Sequence, residues 1–467
     1  MRKPYDLAVI GSGPAGQKAA IAAAKLGKRV AVVDRSGVLG GVCLHTGTIP
    51  SKTLREGVLY LSGLRMRAFY GPDYALNERI RVDDLRVRVD QVVKRQMEVV
   101  HDQLRRNGVA IVEGMARFID PHTLVVDRDG TEIARVKADH ILVACGTRPA
   151  RRADIAFDER GIRDADQIWE AVEGELPRSV VIIGGGVIGL EYASMMAALK
   201  IHTTLVELRT ELLEFVDREI IGHLIDHLRG LGTEFMLGTQ VVAVRGNRAE
   251  GVKVELASGA TLESAAMLYA VGRQPNTDRL GLESIGLPVD GRGRLEVNEF
   301  YQTQIPHIYA AGDVIGFPSL ASVSMEQGRI AAGNMFGRRT SLSTELLPYG
   351  IYTIPEVSMV GPPEQQLSSA GKPYATGLSR FAELARAQII GDRTGLLKLV
   401  FDPDTLRLLG VHIIGEGASE LVHIGQMVMA AGGTLETIRD TVFNYPTLAE
   451  AYKVAALDGL NRVRRVN

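Results

Sequence analysis

The chain has 467 residues, 46% of them apolar, which is too long for one ordinary core and too hydrophobic for a disordered chain, so two to four domains are expected. Lys and Arg number 54 against 55 Asp and Glu, a net charge of −1, so nothing in the charge points to nucleic acid or an anionic membrane as partner. Two cysteines cannot build a disulfide scaffold, and no apolar run approaches the roughly 18 residues of a spanning helix, so a soluble, untargeted, cytoplasmic protein is expected.

In chain order, residues 5–10 (YDLAVI) read as a short buried strand. A glycine turn follows, then an alanine-rich helix over 14–26, then a strand ending at Asp34. Residues 51–68 and 83–106 show helical spacing, and 109–143 read as short strands ending in Ile141-Leu-Val-Ala144. After a crossover at 148–152 the opening is repeated: strand 179–183, glycine turn, helix 187–199, and strand 203–206 ending at Glu207. A third turn, Gly312-Asp313, follows strand 308–309. Beyond about 345, strands (351–359, 396–401, 406–414) mix with helices (417–431, 447–458), which reads as a separate α+β domain.

Gly11-Ser-Gly13-Pro-Ala-Gly16 sits between a strand and a helix, and Asp34 lies roughly 20 residues on. Glycines there allow the tight turn, the approach of backbone to a pyrophosphate and close helix packing; the acid accepts from a ribose hydroxyl. Gly184-Gly-Gly186-Val-Ile-Gly189 with Glu207 repeats this pattern. Two dinucleotide sites imply electron traffic between two cofactors. Glu207 favours the free 2′-hydroxyl of NAD, whereas Arg209 offers a bidentate contact to a 2′-phosphate or is a solvated charge. Both readings stay open.

Residues 39–52, Leu39-Gly-Gly41-Val-Cys43-Leu-His-Thr-Gly47-Thr48-Ile-Pro-Ser-Lys52, resemble the pyridine nucleotide–disulfide oxidoreductases, whose pattern is GG-x-C-x4-C-x2-PSK. Ala144-Cys145-Gly146-Thr-Arg-Pro149, Gly272-Arg273-Gln-Pro-Asn276 and Gly312-Asp313 extend the likeness over nearly the whole chain. The resemblance implies an α/β fold with two Rossmann-like domains and a C-terminal α+β dimerisation domain. FAD would bind at 1–150 with 276–345 returning to it, NAD(P) at 151–275, and the dimer would form through 346–467. It implies FAD contacts from Gly11, Gly13, Gly16, Asp34, Arg35, Gly41, Cys43, Thr48, Lys52, Gly114, Gly146, Gly312, Asp313 and Ala321. For NAD(P) it implies Gly184, Gly186, Gly189, Glu207, Arg209, Gly272 and Arg273. Lys52 is expected near the flavin N5 with Glu191 as its acid.

Two departures carry more information than the matches. Thr48 stands where the family has its second cysteine, and Tyr445, in Tyr445-Pro-Thr-Leu-Ala-Glu450, where it has a histidine base. Thiol–disulfide exchange requires a resolving thiol and usually a base, so their joint loss points away from that mechanism. Thr48 either hydrogen-bonds near the flavin or fills the space of the sulfur, the second being favoured. Tyr445 and Glu450 either line the partner subunit's cleft or, for Tyr445, form an interface aromatic. The pattern is similar to the soluble, Si-specific NAD(P)+ transhydrogenases, which implies NADH/NAD+ and NADPH/NADP+ as substrates and a homodimer at least. The alternatives are an NADH diaphorase or quinone reductase, a lipoamide- or glutathione-type reductase, and a flavin-bearing sensor with Cys43 as a redox switch. His223 and His227, one helical turn apart, read as a solvated face rather than a metal pair, as do helix 83–106 and Arg462-Val-Arg-Arg465.

Overall fold

The computed structural model describes residues 4–35, 39–71, 73–77, 80–158, 161–167, 175–247, 251–343 and 345–466, the last three without their side chains. The side chains of Arg464 and Arg465 therefore lie outside the description, while Arg462 pairs with Asp458 at 2.9 Å. By compactness the chain divides into two units, Met1–Thr53 with Arg86–Ala150 and Gly272–Ser343, and Leu54–Leu85 with Arg151–Val271 and Thr344–Asn467. No helix among the described residues is long and apolar enough to cross a membrane.

The first unit is built on a sheet whose parallel strands run in the order Ala110–Glu113, Val30–Asp34, Tyr5–Ile10, Thr131–Val143, with Ile308–Ala310 also on Thr131–Val143. The long strand Thr131–Val143 continues into an antiparallel meander with Thr123–Arg128 and Met115–Asp120. Side chains alternate across a strand, and here both faces are covered. Leu7, Val9, Val30, Val32 and Leu142 pack with Ala19, Ala20 and Ala23 of helix Pro14–Lys25. Ala8, Ile10, Ala31, Val33, Ile141 and Val143 face the opposite core with Phe118 and Leu124. This double burial is why the strand sequences read as unbroken apolar runs. Helix Pro14–Lys25 lies against helix Ala321–Met335 so closely that a Cβ on Gly328 would come within 2.0 Å of the Ala15 carbonyl oxygen.

The second unit repeats the theme. Its parallel sheet runs Thr233–Met236, His202–Val206, Ser179–Ile183, Ala266–Tyr269, Ile162–Asp164. A three-stranded antiparallel sheet, Val241–Asn247, Gly251–Leu256 and Thr261–Ser264, is inserted in it. A five-stranded antiparallel sheet follows in the order Tyr349–Ile351, Val357–Val360, Leu408–Ile414, Leu396–Phe401, Ala375–Arg380. Helices Ala418–Ala430 and Glu450–Val466 share a core with it around Phe381, Phe401, Val411, Ile413 and Tyr452. The buried Tyr452 hydroxyl donates to the Leu421 carbonyl at 2.7 Å and accepts from the Gly425 amide at 3.1 Å.

Three expected elements change. The helix read over 51–68 runs Thr48–Ser62 and stops because Gly63 adopts φ 62°. The strand read over 351–359 is two paired strands, Tyr349–Ile351 and Val357–Val360. Pro355 lies between them and has no amide to give to a ladder. The last helix begins at Glu450 rather than 447, after Pro446.

Candidate functional site

The two glycine turns are near copies of each other. Gly11 has φ 99° and Gly184 has φ 107°, and a Cβ would fall 2.3 Å from the Ala144 oxygen and 2.7 Å from the Ala270 oxygen respectively. Gly16 and Gly189 let the helix close on the turn: a Cβ at either would lie 1.9 Å from the carbonyl oxygen of Gly11 or Gly184. The middle glycines differ in kind. Gly13 and Gly186 are helix N-caps in extended conformation with no side-chain cap, and a Cβ on either would meet nothing within 4 Å. Among the described residues, no packing requires glycine at these two positions. Open space beside free helix amides suits the close approach of a pyrophosphate, and the cradles therefore fit FAD and NAD(P).

Both strand-end acids reach the turn before them. Asp34 accepts from the Ser12 amide at 2.6 Å, from the Ser12 hydroxyl and from the Arg35 amide at 2.7 Å. Ser12 Oγ in turn accepts from the Gly40 amide at 2.9 Å, which ties Asp34 to the segment entering Gly41. Glu207 accepts from the Gly185 amide at 2.6 Å and the Arg209 amide at 3.0 Å. The Arg209 guanidinium also donates to it, at 3.2 Å from Nε and 3.5 Å from Nη2. Burial pushes the Glu207 carboxyl up, but Arg209 and these amides outweigh it and hold it below the usual carboxylate range.

In the first unit, helix Gly41–His45 carries Cys43 and helix Thr48–Ser62 begins at Thr48. Burial raises the Cys43 thiol, the neighbouring Thr48 hydroxyl lowers it, Asp313 raises it and Lys52 lowers it; the net shift is upward. These four residues thus form one electrostatic group. Lys52, one turn after Thr48, donates to Ser51 Oγ at 3.2 Å. Both cysteines are free thiols, and burial pushes the half-buried Cys145 up to about 12.

Gly312, at φ 84°, donates its amide to Gln327 Oε1 at 2.8 Å, which fixes the turn carrying Asp313. Burial raises the Asp313 carboxyl against the opposing influence of Arg273 and the Thr147 hydroxyl. Arg273, expected at the NAD(P) site, donates to Thr147 Oγ1 at 2.8 Å and Thr147 O at 3.0 Å within the first unit. Gly146 (φ 63°) and Gly272 (φ 78°) have open space where a Cβ would stand. Gly114 does not: a Cβ there would strike Val126 Cγ1 at 2.5 Å, so packing alone requires glycine. Ala321 opens its helix, half-buried.

In the second unit Glu191 is buried and accepts from the Tyr352 amide at 2.9 Å, while Ser194 Oγ one turn away accepts from the Ile354 amide at 3.0 Å. Tyr445 is 68% exposed. Glu450 has a buried Oε2 without a hydrogen-bond partner among the described residues, so the two side chains do not form a dyad through that oxygen. His223 is exposed and His227 half-buried, with burial lowering the His227 imidazole. Sequence reasoning missed Ser12, Gln327, Thr147 and Gly185; Ser12 and Gly185, each directly after the first glycine of a turn, could have been found from position.

The pyridine nucleotide-disulphide oxidoreductase family matches residues 5–328, and its dimerisation domain matches 347–456. A soluble pyridine nucleotide transhydrogenase of Mycobacterium bovis is 52% identical over 466 residues, 100% of this chain and 99% of its own length. One of Klebsiella pneumoniae is 44% identical over 98% of each chain. The crystal structure of LpdA from Mycobacterium tuberculosis superposes with a TM-score of 0.88 at 27% identity, covering 99% of both chains.

Proposed function

We propose that this chain, which belongs to the pyridine nucleotide-disulphide oxidoreductase family and is a flavoprotein using FAD and NAD(P), moves hydride between NADPH/NADP+ and NADH/NAD+ without a redox disulfide. The observation that carries this reading is that a threonine hydroxyl, Thr48, and not a second thiol, stands beside Cys43 at the start of the next helix. With a threonine at the family's partner position, Cys43 has no resolving thiol there. The relatives named as transhydrogenases support the same reading.

Bound FAD supplies the two-electron acceptor that links the nucleotides. The chain's own part is to bind and to align. Gly13 and Gly186 bring helix N-termini to the two pyrophosphates, and Asp34 and Glu207 present carboxylates to the riboses. We assign Lys52 and Glu191 to the reacting end, with Lys52 contributing positive charge. Tyr445 and Glu450 are assigned to the cleft of the partner subunit in a cytoplasmic homodimer. The reaction balances without a net proton: NADPH gives up hydride and NAD+ accepts it. Si-face stereochemistry is part of the proposal.

Glu207 favours a second reading, an NADH-dependent diaphorase or quinone reductase, because a strand-end acid suits the free 2′-hydroxyl. Steady-state rates decide between the two. NADPH-dependent reduction of an NAD+ analogue should exceed quinone reduction by either nucleotide. Faster quinone turnover, with no nucleotide exchange, would establish the diaphorase.

A further inference from the structure

The geometry points to Arg209 as a movable cation that lets one site take both nucleotides: paired with Glu207 when the ribose carries a 2′-hydroxyl, and swung onto the 2′-phosphate when it carries one. The inference rests on the reading that both nucleotides enter the second dinucleotide site. It resolves the conflict between an acid and a base two residues apart by giving each its own ligand.

The two side chains of the pair are placed very differently. Glu207 is 9% exposed and Arg209 is 53% exposed. Glu207 is fixed by backbone: the amides of Gly185 and Arg209 hold one carboxylate oxygen each, at 2.6 and 3.0 Å. A Cβ on Gly185 would lie 3.2 Å from Glu207 Oε2 and 2.3 Å from Leu212 Cδ2, so the acid and the turn are packed together. Arg209 reaches the same oxygens by longer contacts, 3.2 Å from Nε and 3.5 Å from Nη2. If the guanidinium leaves, the carboxylate keeps both amide donors and is not stranded.

A half-exposed ion pair is a weak tether. A phosphate dianion offers the guanidinium a stronger, bidentate partner. Rotation of Arg209 toward it also places a cation between the Glu207 carboxylate and the phosphate, reducing the repulsion that otherwise excludes NADPH. With a 2′-hydroxyl, nothing draws Arg209 away, and the ribose hydroxyl takes the acceptor site on Glu207 Oε2 that the long 3.5 Å Nη2 contact holds.

The test is calorimetric binding to the oxidised holoenzyme, with adenosine 2′,5′-bisphosphate and 5′-AMP as probes. Arg209→Met should weaken the bisphosphate about tenfold or more and change 5′-AMP less than about twofold. Arg209→Lys should keep part of the bisphosphate affinity. Glu207→Gln, which removes the competing anion, should bind the bisphosphate at least as tightly as the parent. Equal weakening of both probes in Arg209→Met and Arg209→Lys would show that Arg209 only supports the loop, and would overturn the inference, as would no weakening at all. Tight bisphosphate binding in a protein whose flavin NADPH cannot reduce would leave this inference standing and sink the transhydrogenase reading instead.

Discussion

Thr48 opens one helix beside Cys43 of the short helix before it, and its hydroxyl lowers the thiol that burial raises. The contact places a hydroxyl where a disulfide-relay enzyme needs a second thiol. Cys145 is the chain's other cysteine, half-buried on a different segment with its thiol pushed up to about 12. The proposed hydride transfer needs no sulfur.

Replacing Thr48 by cysteine should restore the missing half of the relay. In Thr48→Cys the introduced thiol and Cys43 can be oxidised to a disulfide, losing two electrons and two protons. Anaerobic dithionite titration should then consume four electrons per flavin in the variant and two in the parent. Two electrons in both would mean that this position cannot host the bridge.

Cys43 should be a slow nucleophile at neutral pH. Burial dominates its upward shift, so the reactive thiolate forms only above the ordinary range of the free thiol. Alkylation by iodoacetamide should remain slow near pH 8 and accelerate through pH 9 and beyond; a rate already at its plateau near pH 7 would contradict the assignment. Cys145 should react more slowly still.

The glycines of the first turn should separate binding from folding. Gly13→Ala puts a methyl into open space, so the apoprotein should keep its melting temperature while FAD affinity falls about tenfold or more. Gly16→Ala drives a methyl to 1.9 Å from the Gly11 oxygen and should destabilise the fold by about 1–3 kcal/mol or more. Thermal melting with and without FAD distinguishes the two, and equal behaviour would remove the argument that Gly13 serves a ligand.

Much of the first site is legible in the sequence because its chemistry is local. The strand, the glycine spacing and the acid all lie within one βαβ unit, and the close approaches at Gly11 and Gly16 tolerate no other residue. The departure at Thr48 is visible in sequence, but its electrostatic influence on Cys43, beside those of Asp313 and Lys52, is not. The pairing of Arg209 with Glu207 is hidden because sequence does not show that Glu207 is buried against the turn while Arg209, half-exposed, folds back onto it. Glu191 reads as an acid for Lys52, and nothing in its own segment announces that its carboxylate accepts from Tyr352, more than one hundred residues away. The hairpin at Tyr349–Val360 reads as one strand although Pro355 marks the break.

Lys398 shows the same limit. It is 3% exposed and donates to Asp217 and Glu219, each at 3.0 Å, and to Glu364, residues that no sequence pattern connects. The cluster joins one strand of the antiparallel sheet to the start of helix Arg218–Gly230, and only the folded chain brings those charges together.

His412, on the strand beside that of Lys398, is fully buried; its Nε2 donates to the Pro362 carbonyl at 3.2 Å, and burial pushes the imidazole down to about 4 against the pull of Asp217. An unfolded histidine titrates near 6.5, so the unfolded chain binds the extra proton first. Stability from this group is complete above about pH 6.5 and declines as pH falls toward 4, by about 3 kcal/mol. Denaturant unfolding across that window should show a slope that His412→Gln reduces, and an unchanged slope in the variant would assign the effect elsewhere.

Counting reducing equivalents probes electron flow most directly. NADPH is added anaerobically to the holoenzyme while flavin absorbance is followed, and NAD+ is then added in excess. One equivalent of NADPH per flavin should bleach the absorbance, and NAD+ should restore it with one NADH formed and no change in free thiols. A requirement for two equivalents with thiols appearing on reduction, or a flavin that NADPH leaves oxidised, would contradict the account.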